Sequence, residues 1–345
     1  VKHYQYRFLK SALIAVCLVN FLLSCAVHYR ETSNSVSEEK SKKVELGSNA
    51  PAKVVTPNHE SEIEVQNRND SIKKLCDEID ALYRRNKWAK KSSCHDIKFS
   101  VIGNSIKGRP LLSFSYGDMQ SDKITLVQCA IHGDELPSLP MCFYLIDEVL
   151  SEKRALPKGV KLVVQPLLNP DGMLDGRPQR PNARGVDLNR NFPTTDFEAE
   201  AVKSWKTRDR EDPRKFPGIE SNSEPETQAI VLFIESKRPQ KILSIHTPLG
   251  HLDLDAKGHE DHERRARFLA INMSKNSGDY TFKSFGFYPG SLGNFAGREK
   301  QIPVYTLELP PGDSKPTVDN YWKRFRLALW RAIDFDLDTG QFIED

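Results

Sequence analysis

His132 and Glu135 close the run Val127-Gln128-Cys129-Ala130-Ile131-His132-Gly133-Asp134-Glu135. An apolar stretch that reads as a buried strand stops at a histidine and a carboxylate. Two later runs end in the same manner: "KILSIH" delivers His246, and "IPVYTLEL" delivers Glu308. Two histidines and one carboxylate form a set suited to catalytic zinc, which takes three protein ligands and keeps a fourth position for water. Zinc brings the pKa of that water to about 7, and a further carboxylate within hydrogen-bond reach can take and return the proton. The three strand ends therefore nominate His132, Glu135 and His246 as ligands of one zinc ion and Glu308 as general base. His-x-x-Glu alone is a common chance pattern; the three strand ends together make the set specific. Gly133 allows a turn tight enough for His132 and Glu135 to face one ion. Asp134 is read as holding a ligand histidine's other nitrogen.

These ends need a scaffold. Ile72, Leu75, Ile79 and Leu82 share one face of a helix starting near Ser71. Strands are expected at about 97–102, 111–116, 124–131 and 161–168, with helices over 141–150 and 264–274. Ser223-Glu224-Pro225-Glu226 reads as a capping box opening a helix through Ala229, Leu232 and Phe233. A last helix from Thr317 carries Val318, Tyr321, Phe325, Leu329 and Ala332 on one stripe. Strands alternating with helices predict an α/β sheet covered on both faces, with chemistry at the carboxyl ends of its strands. Asp171 in "NPDG" reads as an Asx-type turn former, and Asp187 as a residue that orients its neighbours. Residues 194–222 are charged and irregular, and 205–210 read as a solvated surface insertion. His259 and His262 fall in a charged, exposed, helical stretch and, with His251, make a poor second metal site.

The 345 residues suffice for a large core. Fifty Lys+Arg against 47 Asp+Glu give +3, without the basic excess of a general nucleic-acid binder. Lys2, Arg7 and Lys10 precede an apolar run that ends Leu22-Leu23-Ser24-Cys25, the shape of a signal peptide with a bacterial lipobox. Residues 1–25 are thus read as signal, 26–68 as a polar flexible tether, and 69–345 as the catalytic domain. A lipidated Cys25, an uncleaved anchor or ordinary secretion all put the body outside the cytoplasm. In that oxidising setting Cys76 and Cys94 are a plausible disulfide. Cys129 and Cys142, in apolar company, read as small buried side chains.

The ordered pieces "KGRPL", "IHGDE", "PLLNPDG", "RPNARGVDLNRNFP", "SEPETQA", "SIHTPLGHLD", "YPGSLGNFAG" and "IPVYTLELP" resemble the zinc carboxypeptidase family, and within it the murein tripeptide amidase branch. The resemblance spans the chain from about Asn104 onward. It implies a three-layer α/β/α fold around a twisted, mixed eight-stranded sheet. It implies one Zn2+ per chain on His132, Glu135 and His246, and Glu308 as base. In "DLNRN" it implies that Asn189 and Arg190 bind the substrate's terminal carboxylate, for which a guanidinium fork is suited. It implies an arginine polarising the scissile carbonyl. Arg177 and Arg180 share the right loop, and Arg180 keeps the branch's Arg-x-Asn-x-x-Gly-Val-Asp-Leu-Asn-Arg spacing. The resemblance implies that Tyr288 is the family's mobile tyrosine; otherwise it is a packed loop aromatic. Asp253 and Asp255, in the loop after His246, correspond to acids that meet the side-chain ammonium of diaminopimelate; otherwise they are exposed loop acids.

The implied activity is hydrolysis of peptidoglycan stem peptides between γ-D-glutamate and meso-diaminopimelate. The branch's recycling amidase is cytoplasmic, whereas residues 1–25 here predict export, so trimming of wall peptides in the periplasm is expected. The partners expected are stem peptides or short peptides and a membrane reached through the N-terminus, with no nucleic acid and no obligate protein partner. A general carboxypeptidase selecting basic C-terminal residues through Asp253 or Asp255 is the alternative. An inactive wall-binding lipoprotein is a third reading, disfavoured by the intact set of His132, Glu135, His246 and Glu308.

Overall fold

Eight strands pair in the order β1-β2-β4-β3-β5-β8-β6-β7. They are β1 (Ser100–Asn104), β2 (Pro110–Gly117), β3 (Ile124–Cys129), β4 (Lys161–Gln165), β5 (Lys241–His246), β6 (His251–Asp255), β7 (Phe282–Lys283) and β8 (Val304–Glu308). The computed structural model describes residues 62–89 and 91–343. The signal-like start, Cys25 and most of the expected tether lie outside the described residues. Among the described residues no helix is long and apolar enough to cross a membrane.

The centre of the sheet, β4-β3-β5-β8, is wholly parallel, while β2 pairs antiparallel with both β1 and β4, and β6 antiparallel with β8 but parallel with β7. Parallel strands buried on both faces read as near-continuous apolar runs. Every residue of β3 and of β5 is buried, as that requires. Side chains alternate between faces: Leu126, Ile242 and Val304 join one core, and Val127, Leu243 and Tyr305 the other.

The second of these cores takes helices α1 (Glu62–Arg85), α2 (Ser138–Leu150), α6 (Glu260–Lys275) and α7 (Lys315–Asp334). The first takes α5 (Pro225–Lys237) and a π-helical turn, Gly293–Glu299. Between β4 and α5 come five short helical pieces: helix α3 (Pro170–Leu174), a 3₁₀ turn (Leu188–Arg190), a π-helical turn (Phe197–Ala201), helix α4 (Val202–Thr207) and a second 3₁₀ turn (Pro213–Lys215). The expected three-layer α/β/α arrangement around a mixed eight-stranded sheet is therefore present. The apolar stripe of α1 packs as its spacing predicts: Leu75, Ile79 and Leu82 are buried, each worth ~1.5–3 kcal/mol. This helix begins at Glu62, ahead of Ser71 and inside the stretch read as tether.

Three other local readings are corrected. Ser223-Glu224-Pro225-Glu226 makes no capping box, because both acids are taken by distant partners. Glu226 accepts from the Ile106 amide (3.1 Å), and Glu224 from Asn182 Nδ2 (2.7 Å). Asp171 is not the turn former in "NPDG". Asn169 caps α3 by accepting from Gly172 N, while Asp171 anchors the "KGR" loop through Ser105, Lys107 N and Arg109. Cys129 and Cys142 are not free thiols: they form a disulfide that ties the end of β3 to α2. Cys76 and Cys94 form the other, joining α1 to the turn at Cys94–Asp96.

Candidate active site

The carboxyl ends of β3, β5 and β8 point to one edge of the sheet. His246 ends β5 and is the register partner of Glu308, which ends β8. His132 stands three residues past β3, after a backbone reversal at Ala130, whose φ of 54° is uncommon for a residue with a side chain. Amides of Leu168 and Asn169 donate to Cys129 O and Ala130 O and hold that reversal. The conformational work expected of Gly133 thus falls on Ala130. Gly133 is needed for a different reason: a Cβ there would come within 2.1 Å of the Gly172 carbonyl carbon and 2.5 Å of Gln179 O.

His132, Glu135 and His246 are buried, and one ligand atom from each lies within 4.8 Å of the others. His132 Nδ1 is 2.7 Å from Glu135 Oε1, and His246 Nδ1 is 2.9 Å from Oε2. Each ring's far nitrogen already has a partner: His132 Nε2 meets Asp187 Oδ1 at 3.1 Å, and His246 Nε2 meets Ser244 Oγ at 2.9 Å. Protons on both Nε2 atoms leave the Nδ1 lone pairs converging beside a carboxylate. That is a donor set and an outer shell that fit zinc.

Asp134 does not fill the outer-shell role expected of it. It pairs with Arg214 (2.6 Å), and Asp187 does the holding instead. Ser244 was not anticipated, although its position two residues before His246 on one strand face is a readable signal.

Burial opposes charge on Glu135 and Asp187, but their neighbours prevail. His132 and His246 hold the Glu135 carboxyl well below the usual range, and Arg180 and His132 do the same for Asp187. Burial and Arg180 oppose a charge on His132, and the Glu135 and Asp187 carboxylates outweigh both and raise its pKa.

One cavity of about 740 Å3 is lined by His132, Glu135, His246, Glu308, Arg180, Asn189 and Arg190. Arg180 gives Nε to Asp187 (2.8 Å) and Nη1 to Glu135 (3.3 Å), leaving Nη2 without a partner among the described residues. Arg177 lines a neighbouring cavity and not this one. Arg190 gives Nη1 to Asn189 O, and its buried Nε has no partner. Asn189 Oδ1 accepts from Leu292 N. Gly290 carries positive φ, and a Cβ there would strike Arg190 O at 2.0 Å, so the 288–292 loop lies directly on the arginine's backbone.

A second cavity of about 300 Å3 shares Asn189, Arg190 and Glu308 with the first and adds Tyr288, Asp253 and Asp255. The two acids stand on β6, not on an exposed loop, and both are partly buried. Burial, then the charge of Asp253, pushes the Asp255 carboxyl up to about 7. Burial likewise raises Asp253, against amide donors from Phe285 and Leu254.

Residues 205–210, read as a solvated surface insertion, are largely exposed, but Trp205 and Asp209 are half-buried and make contacts within the fold. Trp205 packs edge-on against Phe216 with ring centres 5.0 Å apart, and Trp205 Nε1 donates to Asp212 O. Arg208 lines the smaller cavity, and Arg214 and Lys215 line the larger. Asp209 accepts from the Tyr288 hydroxyl. Two guanidinia lie over the Tyr288 ring, Arg190 at 4.0 Å and Arg208 at 4.9 Å from its centre. Nothing local in the sequence signals these contacts. His251, His259 and His262 gather no metal set among the described residues; His259 caps α6 instead.

Residues 87–314 match the zinc carboxypeptidase family. The chain belongs to that family. It is accordingly a zinc metallopeptidase, and His132, Glu135 and His246 form a buried cluster that could hold the ion. Murein peptide amidase A of Vibrio campbellii is 32% identical over 236 residues, covering 67% of this chain and 87% of that protein. Its Escherichia coli counterpart is 31% identical over 235 residues, 67% and 90%. Carboxypeptidase A from Helicoverpa armigera superposes with a TM-score of 0.55 at 19% identity, over 79% of this chain and 73% of that one, and shares the fold.

Proposed function

We propose that this metallopeptidase hydrolyses peptidoglycan stem peptides at the γ-D-glutamyl–meso-diaminopimelate bond, in the cell envelope. The observation that carries the reading is the smaller cavity. Asp253 and Asp255 line it together with Arg208 and Arg190. A side chain that ends in both an ammonium and a carboxylate, as diaminopimelate does, complements acids and guanidinia in one cavity. The two murein peptide amidases that cover most of their length with this chain favour the same substrate class.

In this reading Arg190 and Asn189 receive the free α-carboxylate of the diaminopimelyl residue, which supplies the acceptor that buried Arg190 Nε lacks. Arg180 offers Nη2 to the scissile carbonyl oxygen as negative charge develops there. Zinc, when bound, supplies Lewis acidity and lowers the pKa of a water. Glu308 takes a proton from the attacking water, whose oxygen bonds to the carbonyl carbon. As the C–N bond breaks, Glu308 passes that proton to the leaving amine. The products are a γ-carboxyl group and a free diaminopimelyl amine. Leu249 N, 3.4 Å from Glu308 Oε2, steadies the carboxylate at the cavity wall.

The two acids of the smaller cavity also favour a second reading, removal of basic C-terminal residues from ordinary peptides. Arg208 in the same cavity speaks against a plain lysine side chain there. Digestion of L-Ala-γ-D-Glu-meso-diaminopimelate beside a lysine-ended peptide, followed by mass spectrometry, separates the two. Cleavage of the lysine-ended peptide alone would overturn the stem-peptide reading.

Export and anchoring through a lipidated Cys25 belong to the same proposal. They rest on the basic, apolar and Leu-Leu-Ser-Cys pattern of residues 1–25, and two disulfides are at home in an oxidising compartment. Metabolic labelling with an alkyne fatty acid tests the anchor. Label retained in a Cys25→Ser variant would rule it out.

A further inference from the structure

A third cavity, of about 860 Å3, opens beside the zinc-ligand cavity and shares Asp134, Arg180 and Arg214 with it. It shares no lining residue with the cavity of Asp253 and Asp255. The zinc-ligand cavity, which borders both, therefore lies between them. If the leaving amino acid occupies one outer cavity, the acyl side of the scissile bond has the other as its exit.

The charge of this acyl-side groove is lopsided. Arg177, Arg180 and Arg214 line it, against Asp134 alone. Arg180 is committed to Asp187 and Glu135. Arg214 uses only Nη2, on Asp134, and its side chain is 59% exposed. Arg177 is exposed and makes no hydrogen bond or ion pair among the described residues. Trp205, Phe216 and Pro213 give the groove apolar walls, and the Trp205–Phe216 contact with the Trp205–Asp212 hydrogen bond fixes the loop that presents Arg214. A pocket with aromatic walls and a few placed charges is the ordinary construction of a ligand subsite.

Chemistry names the anion. When glutamate is linked through its γ-carboxyl, its α-carboxylate is left free a few bonds from the scissile carbonyl. In an α-linked peptide that carboxyl is consumed in the chain. We propose that Arg214, with Arg177 beside it, binds the free α-carboxylate of the γ-linked residue on the acyl side. The enzyme then reads the γ linkage itself, and not only the diaminopimelyl residue beyond it. This inference rests on the stem-peptide reading.

The test compares L-Ala-γ-D-Glu-meso-diaminopimelate with the same tripeptide amidated at the glutamyl α-carboxyl, in the zinc-loaded full chain. The wild type is expected to favour the free acid at least about tenfold in kcat/KM, the scale of one charge-assisted pair worth ~1.4 kcal/mol. Arg214→Ala should bring the ratio of the two substrates towards one, Arg214→Lys should retain part of it, and Arg177→Ala should lower it less. The ratio is insensitive to a general loss of folded enzyme, which slows both substrates alike. Equal rates on the two peptides in the wild type, or a full preference kept by the double Arg177→Ala/Arg214→Ala variant, overturns the proposal and leaves the stem-peptide reading standing. If neither tripeptide is cut while a lysine-ended peptide is, the stem-peptide reading falls and this one with it.

Discussion

His132, Glu135 and His246 stand on or just past parallel strands, and the outward nitrogen of each histidine is occupied, by Asp187 and Ser244. Arg190, Arg208 and Arg214 come from turns and from the 194–222 segment, and each keeps unused hydrogen-bonding capacity. The two regions border the same cavities but answer to different needs. A metal centre gains from ligands whose freedom is already removed. A recognition wall needs donors that wait for a substrate, and loops supply them without disturbing the sheet.

That contrast can be broken experimentally. The largest effect should come at the anchored centre: Glu308→Gln is expected to lower kcat by ~10³-fold or more while zinc content stays near one per chain. Near wild-type turnover in that variant would remove Glu308 from the chemistry. The scaffold beneath the centre is next. Replacing Cys129 and Cys142 by alanine should cost about 3 kcal/mol of stability, read as a lower denaturation midpoint. An unchanged midpoint would mean that β3 needs no staple.

Asp187→Asn should weaken zinc binding by about 10–100-fold in a chelator competition. Affinity equal to wild type would show that the outer shell is not what fixes His132.

The smallest effect belongs to the recognition wall. Asp255, with its carboxyl pushed up to about 7, is ionised above that pH and neutral below it. KM for the diaminopimelyl tripeptide should therefore rise about tenfold as pH falls from about 8 to about 6. A matched peptide lacking the side-chain ammonium should not show this rise, nor should Asp255→Asn. A pH profile shared by both peptides would place the titration elsewhere.

The legible part of the molecule follows the same division. That His132, Glu135, His246 and Glu308 share one cavity was readable because a parallel sheet brings its strand ends together, and apolar runs mark those ends. His132, Glu135, His246, Glu308, Arg180, Asn189, Arg190, Tyr288, Asp253 and Asp255 line the two adjoining cavities, whereas Arg177 and Asp187 line neither. What escaped notice depends on tertiary contact. The acids at 224 and 226 matched a helix-start pattern, yet Asn182 and the Ile106 amide captured them from far along the chain. Cys142 faces Cys129 only because α2 packs back on β3. Arg208, Asp209 and Arg214 sit in a stretch without periodicity, where no local rule distinguishes a site wall from a solvated loop.

Gly133 carries one more consequence, for the order in which the protein takes shape. Three segments, at residues 133, 172 and 179, meet there backbone to backbone with no room for a methyl group between them. Closing such distant contacts is among the slower events of folding. β3 pairs directly with β5, so His132 and Glu135 meet His246 only once that pairing and the Gly133 contacts are made. Tight zinc binding is therefore expected of the assembled sheet and not of the unfolded chain, where the three side chains are far apart.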